Sequence, residues 1–130
     1  MNYIAVDDEP FALKDLEEAL AEAAPDSVLR TFGVPSEALA YVRDHPFDAA
    51  FLDIELGSMN GLVLAKKLKD LCPQAHIIFV TSYKQYALGA IQMHATGYLL
   101  KPVTAEALRR ELTFAYGEAL RQKRVRVQTF

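Results

Sequence analysis

The 130-residue chain is 52% hydrophobic and 24% charged with a formal net charge of −3. That profile fits one globular domain, large enough to bury about two thirds of its unfolded surface, and gives no electrostatic case for binding nucleic acid or a membrane surface. Its apolar runs are far shorter than the roughly 20 residues a membrane span needs. A single cysteine, Cys72, excludes an internal disulfide; with no basic leader before "NYIAVDDEP", the expected address is the cytoplasm.

In chain order, short β-type runs alternate with stretches of helical spacing. Residues 3–6 read as a first strand. Residues 11–24 follow as a helix, with Leu13, Leu16, Leu20 and Ala23 on one face and Pro10 at a favourable first position. A second strand is expected at 28–32 and a helix at 35–44, with Ala38, Leu39 and Val42 inward. Strand 49–52 precedes helix 61–71, which carries Leu64, Ala65 and Leu68. Strand 77–80 leads to a short helix at 85–93, interrupted by Gly89. Strand 98–100 precedes a last helix capped by Thr104, with Leu108, Leu112 and Ala115 aligned. Five strands alternating with five helices predict an α/β, flavodoxin-like doubly wound parallel sheet, in the order 2-1-3-4-5. The third, fourth and fifth strands read as covered on both faces.

In such sheets ligands bind at the carboxyl ends of strands, where the strand order reverses. The first strand ends in Asp7-Asp8 and the third in Asp53. These strands are expected to be neighbours, so three carboxylates converge. Two carboxylates about 4 Å apart repel by on the order of 4 kcal/mol at an effective dielectric near 20, which calls for a cation. Few hard oxygen ligands suit Mg²⁺ better than Ca²⁺, and Mn²⁺ is an acceptable substitute. The fourth strand ends at Thr81, a hydroxyl, and the fifth at Lys101, an ammonium. An Asp carboxylate, a metal, a hydroxyl and an ammonium at one point form a phosphoryl site, with Asp53 able to act as nucleophile.

Asp7-Asp8, Asp53, Thr81 and Lys101-Pro102, each at its strand end, resemble the receiver domain of two-component response regulators over about residues 2–120. The resemblance implies that Asp53 is the phosphoacceptor. It implies Mg²⁺ held by Asp8 and Asp53, by the Glu55 backbone carbonyl, and by Asp7 through water. Lys101 and Thr81 would contact the phosphoryl group, Tyr98 would be the switch aromatic, and the Lys101–Pro102 bond would be cis. A sensor histidine kinase is the implied partner, with self-phosphorylation from small donors and self-dephosphorylation as the only chemistry. The implied output surface is made by the fourth helix, fifth strand and fifth helix, and it is also a homodimer surface. Four positions depart from the family pattern or tune it. Leu56-Gly57 replaces the usual Met-Pro, and Glu55 and Tyr83 occupy positions that govern water's access to the phosphoryl group.

Residues 121–130, "RQKRVRVQTF", begin basic and then alternate like a new strand. They read as a linker or the start of a truncated output domain. The tail and the stretch from Phe79 to Val103 resemble regulators carrying a winged-helix or LytTR-type DNA-binding domain. With no reading helix here, specific DNA binding by this domain itself is not expected.

Other readings exist for the same residues. Asp7 and Asp8 alone could cap the first helix. Ser82 either approaches the phosphoryl oxygens or fills space, while Cys72, His45, His76 and His94 read as structural or exposed. An aspartyl-nucleophile phosphohydrolase would want Asp-x-Asp on the first strand and a cap insertion. A flavin module would want a glycine- and hydroxyl-rich loop where this chain has acids. A non-phosphorylated pseudo-receiver used for docking remains the alternative with the same fold.

Overall fold

The structure, a computed structural model, describes the backbone of residues 1–128 and the side-chain surroundings of residues 1–117. The elements run β1 (Asn2–Val6), α1 (Pro10–Ala23), β2 (Val28–Phe32), α2 (Pro35–Val42), β3 (Ala49–Leu52), α3 (Gly61–Leu71), β4 (His76–Thr81), α4 (Ala87–Gln92), β5 (Gly97–Leu100) and α5 (Ala105–Gln128). All strand pairs are parallel and the sheet order is β2-β1-β3-β4-β5, as the alternation of elements predicts.

The two-residue period of the strands sends alternate side chains to opposite faces. Ile4, Val6, Ala50, Leu52, Ile77 and Phe79 face the layer of α2, α3 and α4, where Ala38, Leu64, Leu68 and Ala90 meet them. Tyr3, Ala5, Phe51, Ile78 and Val80 face α1 and α5, against Leu16, Leu20, Leu108 and Leu112. Helix starts follow local chemistry. Pro10 and Pro35 open α1 and α2, Asn60 accepts from the Leu62 amide at α3, and the Thr104 hydroxyl accepts from the Ala107 amide at 3.1 Å.

Two expectations fail. The fifth strand was expected to be covered on both faces, but β5 is only partly buried and Leu100 is 41% exposed. It lies at the sheet edge, so no further strand shields its outer side, and an apolar composition alone does not distinguish edge from centre. The strand-like alternation in the tail is also not met. α5 continues as helix through Gln128, because the last turns inherit an established helix and propagation is easier than nucleation. Residues 129–130, the end of the expected new strand, lie outside the described residues.

Candidate phosphoryl site

Backbone hydrogen bonds carry the sheet one step past its strands and fix the residues that follow. The Asp7 amide donates to the Phe32 carbonyl at 3.1 Å, the Asp53 amide to Val6 at 3.0 Å and the Lys101 amide to Thr81 at 2.9 Å. The side chains of these residues therefore leave the same carboxyl edge of the sheet.

There the carboxylates of Asp7, Asp8, Glu9 and Asp53 each present an oxygen within 4.8 Å of the others. Lys101 reaches into the group. Its Nζ lies 2.9 Å from Asp7 Oδ2, 3.0 Å from Asp53 Oδ2 and 3.4 Å from Glu9 Oε1. Asp53 is 3% exposed, and its other oxygen accepts from the Ile54 amide at 2.7 Å. Asp7 Oδ1 accepts from the Glu9 amide at 3.0 Å. The helix-capping reading of Asp7 and Asp8 is thereby displaced: the residue before α1 is Glu9, and no side chain caps that end.

The electrostatics are only partly balanced. Burial by itself would lower the Lys101 pKa, but hydrogen bonds to Asp7 and Asp53 and their charges hold the ammonium above the ordinary lysine range. Asp7 moves the other way from a well-paired acid. Burial raises its carboxyl, Lys101 and the Glu9 amide pull it back, and the Asp53 charge raises it further. One ammonium does not satisfy four neighbouring carboxylates. An all-oxygen, carboxylate-rich donor set this close fits a hard divalent cation.

Thr81 is fully buried and its Oγ1 accepts from the Tyr83 amide at 3.4 Å. The Tyr98 hydroxyl donates to the Tyr83 carbonyl, and its ring is half-buried, 6.1 Å from the Phe79 ring. Tyr83 is thus gripped at its N–H by Thr81 and at its C=O by Tyr98. Glu55 lies in the loop after β3, bridged to Asn60, with its carboxylate accepting from the Tyr86 hydroxyl at 3.0 Å. Gly57 has φ +75°, which proline cannot adopt, so this loop follows a different path from one built on Met-Pro. The Lys101–Pro102 peptide is cis. The fold brings Asp7, Asp8, Asp53 and Lys101 together, with Thr81 at the adjoining strand end.

A family model for the response regulator receiver domain matches residues 4–113. The chain belongs to the response regulator receiver family. This receiver is 38% identical over 115 residues to a response regulatory protein of Yersinia pestis, covering 87% of this chain and 47% of that protein. It is 31% identical over 102 residues to the transcriptional regulatory protein YpdB of Escherichia coli K12, covering 78% of this chain and 42% of that protein. The receiver therefore spans less than half the length of these relatives.

Among solved structures, it is similar to the response regulatory domain of protein mrkE from Klebsiella pneumoniae, with TM-score 0.81 and 26% identity over 91% of this chain and 97% of that one. It is also similar to a response regulator protein from Burkholderia pseudomallei that carries a phosphorylated aspartic acid and a calcium ion, with TM-score 0.77 and 27% identity over 92% of this chain and 72% of that one.

Two residues of the site escaped the sequence reading. Glu9 was given no part, although its place directly after Asp7-Asp8 was a usable signal. Tyr86 meets Glu55 across 31 positions, and no local pattern announces that contact. His45 stacks on Tyr41, His76 bonds Thr96 and Cys72 packs at the end of α3, so all three serve structure. Among the described residues no helix is long and apolar enough to cross a membrane.

Proposed function

We propose that this receiver is a phosphorylation-dependent switch with Asp53 as its phosphoacceptor. The observation that carries the reading is Lys101 Nζ between Asp7 and Asp53, within 3.0 Å of each, inside a cluster of four carboxylates. An Asp53 oxygen attacks the phosphorus of a sensor histidine kinase's phosphohistidine, or of a small donor such as acetyl phosphate. A P–O bond forms, the donor's P–N or P–O bond breaks, and the leaving group departs with the electron pair. Lys101 faces the incoming phosphoryl oxygens. An open pocket of about 320 Å³, lined by Phe11, Ser82 and Lys101 among others, gives a donor access.

Asp8 and Asp53, the Glu55 carbonyl and Asp7 through water would hold Mg²⁺. Bound there, the ion neutralises charge on the phosphoryl oxygens. The calcium ion and phosphorylated aspartic acid of the Burkholderia regulator support this assignment.

Thr81 then turns its hydroxyl toward a phosphoryl oxygen and gives up the Tyr83 amide. That loosens the loop whose carbonyl holds the Tyr98 hydroxyl, and Tyr98 moves inward. The face of α4, β5 and α5 changes shape in consequence. Leu88, Ile91 and Leu100 lie exposed on these elements, which supports their use as an output and homodimer surface. Residues 121–130 act as a linker or the opening of an output domain. The name of the YpdB relative supports a transcriptional output; a DNA-binding output domain and a cytoplasmic setting complete the reading.

The test is labelling by radioactive acetyl phosphate with Mg²⁺. The unmodified chain takes one phosphoryl group and Asp53→Asn takes none; persistent labelling of that variant refutes the assignment.

A further inference from the structure

Glu55 sits two residues beyond Asp53, yet its carboxylate stands outside the cluster made by Asp7, Asp8, Glu9 and Asp53. Its loop runs close to that cluster. A Cβ placed on Gly57 would lie 3.8 Å from Asp8 Oδ2. What holds the Glu55 side chain elsewhere is Tyr86, the residue before α4, whose hydroxyl donates to Glu55 Oε1 at 3.0 Å. Tyr83 backs this contact, packing edge-on against Tyr86 with ring centroids 6.2 Å apart. An open groove of about 360 Å³, lined by Glu55, Gly57, Asn60 and Tyr86 among others, gives the carboxylate room to swing once released.

We propose that Tyr86 is a positioning residue that keeps the Glu55 carboxylate out of the metal pocket and so sets the pocket's preference for a small cation. The proposal rests on reading the acidic cluster as a divalent-cation site. Ca²⁺ gathers six to eight oxygens in flexible geometry, whereas Mg²⁺ binds through one or two carboxylates and keeps its waters. A further carboxylate entering the pocket adds a ligand and a charge, and Ca²⁺ gains more from both. By holding Glu55 aside, Tyr86 denies Ca²⁺ that ligand. The same hydroxyl ties α4 to the loop after β3, so displacement of the loop after β4 would alter the pocket's cation preference.

Calorimetric titration of the unphosphorylated protein with MgCl₂ and with CaCl₂ tests this without any phosphoryl transfer. Tyr86→Phe is expected to raise the ratio of Ca²⁺ to Mg²⁺ affinity by roughly three- to ten-fold. In a Glu55→Gln background the same Tyr86→Phe change is expected to leave the ratio where that background sets it. An unchanged ratio in Tyr86→Phe, or an equal rise in the Glu55→Gln background, overturns the positioning role and leaves the metal reading intact. Failure of the unmodified protein to bind either cation overturns both.

Discussion

Gly61 opens α3 at the point where the helix start presses on the backbone that carries Asp53. A Cβ at Gly61 would stand 2.1 Å from the Asp53 carbonyl oxygen, 2.7 Å from Ile54 Cα and 2.9 Å from the Asp53 carbonyl carbon. Relief to an ordinary contact of 3.4 Å needs a shift of roughly 1.3 Å. None of these atoms belongs to a side chain that can rotate away. The Gly61 amide also donates to the Ile54 carbonyl at 2.6 Å, so the two segments cannot part without losing that bond. Overpacking a close-packed interior costs typically about 1–3 kcal/mol. With backbone on every side and a hydrogen bond at stake, Gly61→Ala is expected at or above the top of that range, about 3 kcal/mol.

For a chain of this size that corresponds to a fall of roughly 10 °C in melting midpoint. Urea unfolding is the assay, with the midpoint lowered and the slope unchanged. Gly97→Ala is the control. Its Cβ would come within 2.5 Å of Glu111 Oε2, but that is the end of a flexible side chain, and a loss under about 1 kcal/mol is expected. If Gly61→Ala costs no more than Gly97→Ala, the backbone contact does not constrain the Asp53 loop and the reasoning fails.

Lys101→Met removes the ammonium between Asp7 and Asp53 and leaves a mostly buried carboxylate pair unpaired, so a loss of about 3 kcal/mol in metal-free buffer is expected by urea unfolding. Added MgCl₂ should recover part of that loss, and recovery by NaCl alone at equal ionic strength would count against specific cation binding. His76, bonded to Thr96 and edge-on to Tyr116, has its pKa lowered from 6.5 by burial and then by Lys69, against an opposing pull from Asp48. A lowered value means the unfolded chain binds the proton first, so this stabilisation is complete above about pH 6.5 and is lost as pH falls through the folded value. His76→Gln should therefore narrow its stability gap to the unmodified protein on acidification below pH 6.5; a gap that stays constant from pH 7.5 to 5 would contradict this.

What the sequence showed and what it hid divide along one physical line. Strand ends are local events. An apolar run stopping at Asp7, Asp53, Thr81 or Lys101 can be read from neighbours in the chain, and the parallel topology then brings the ends to one edge. Edge exposure is not local. Tyr98, Leu99 and Leu100 are as apolar as the residues of β4, so the run by itself reads as covered even though the expected strand order already puts it last. The tail misled for a related reason. Alternation at 125–128 fits a strand, but a helix already running from Ala105 continues more easily than a new strand starts without a partner. The Tyr86–Glu55 contact depends on how α4 is placed against the loop after β3, which no spacing rule supplies.

The incomplete balance of charge explains why a fold would tolerate this cluster at all. Were the site built only for stability, the Asp7 carboxyl beside Lys101 should sit below its ordinary pKa, as a paired acid does. It sits above, because burial and Asp53 outweigh the ammonium. The backbone bonds from Asp7 to Phe32 and from Asp53 to Val6 hold the acids in place against their repulsion. The sheet therefore absorbs the cost of the cluster, and a cation bound there would relieve that repulsion. On the proposed reading Lys101, already shared among three acids, would hold a phosphoryl group only together with that ion.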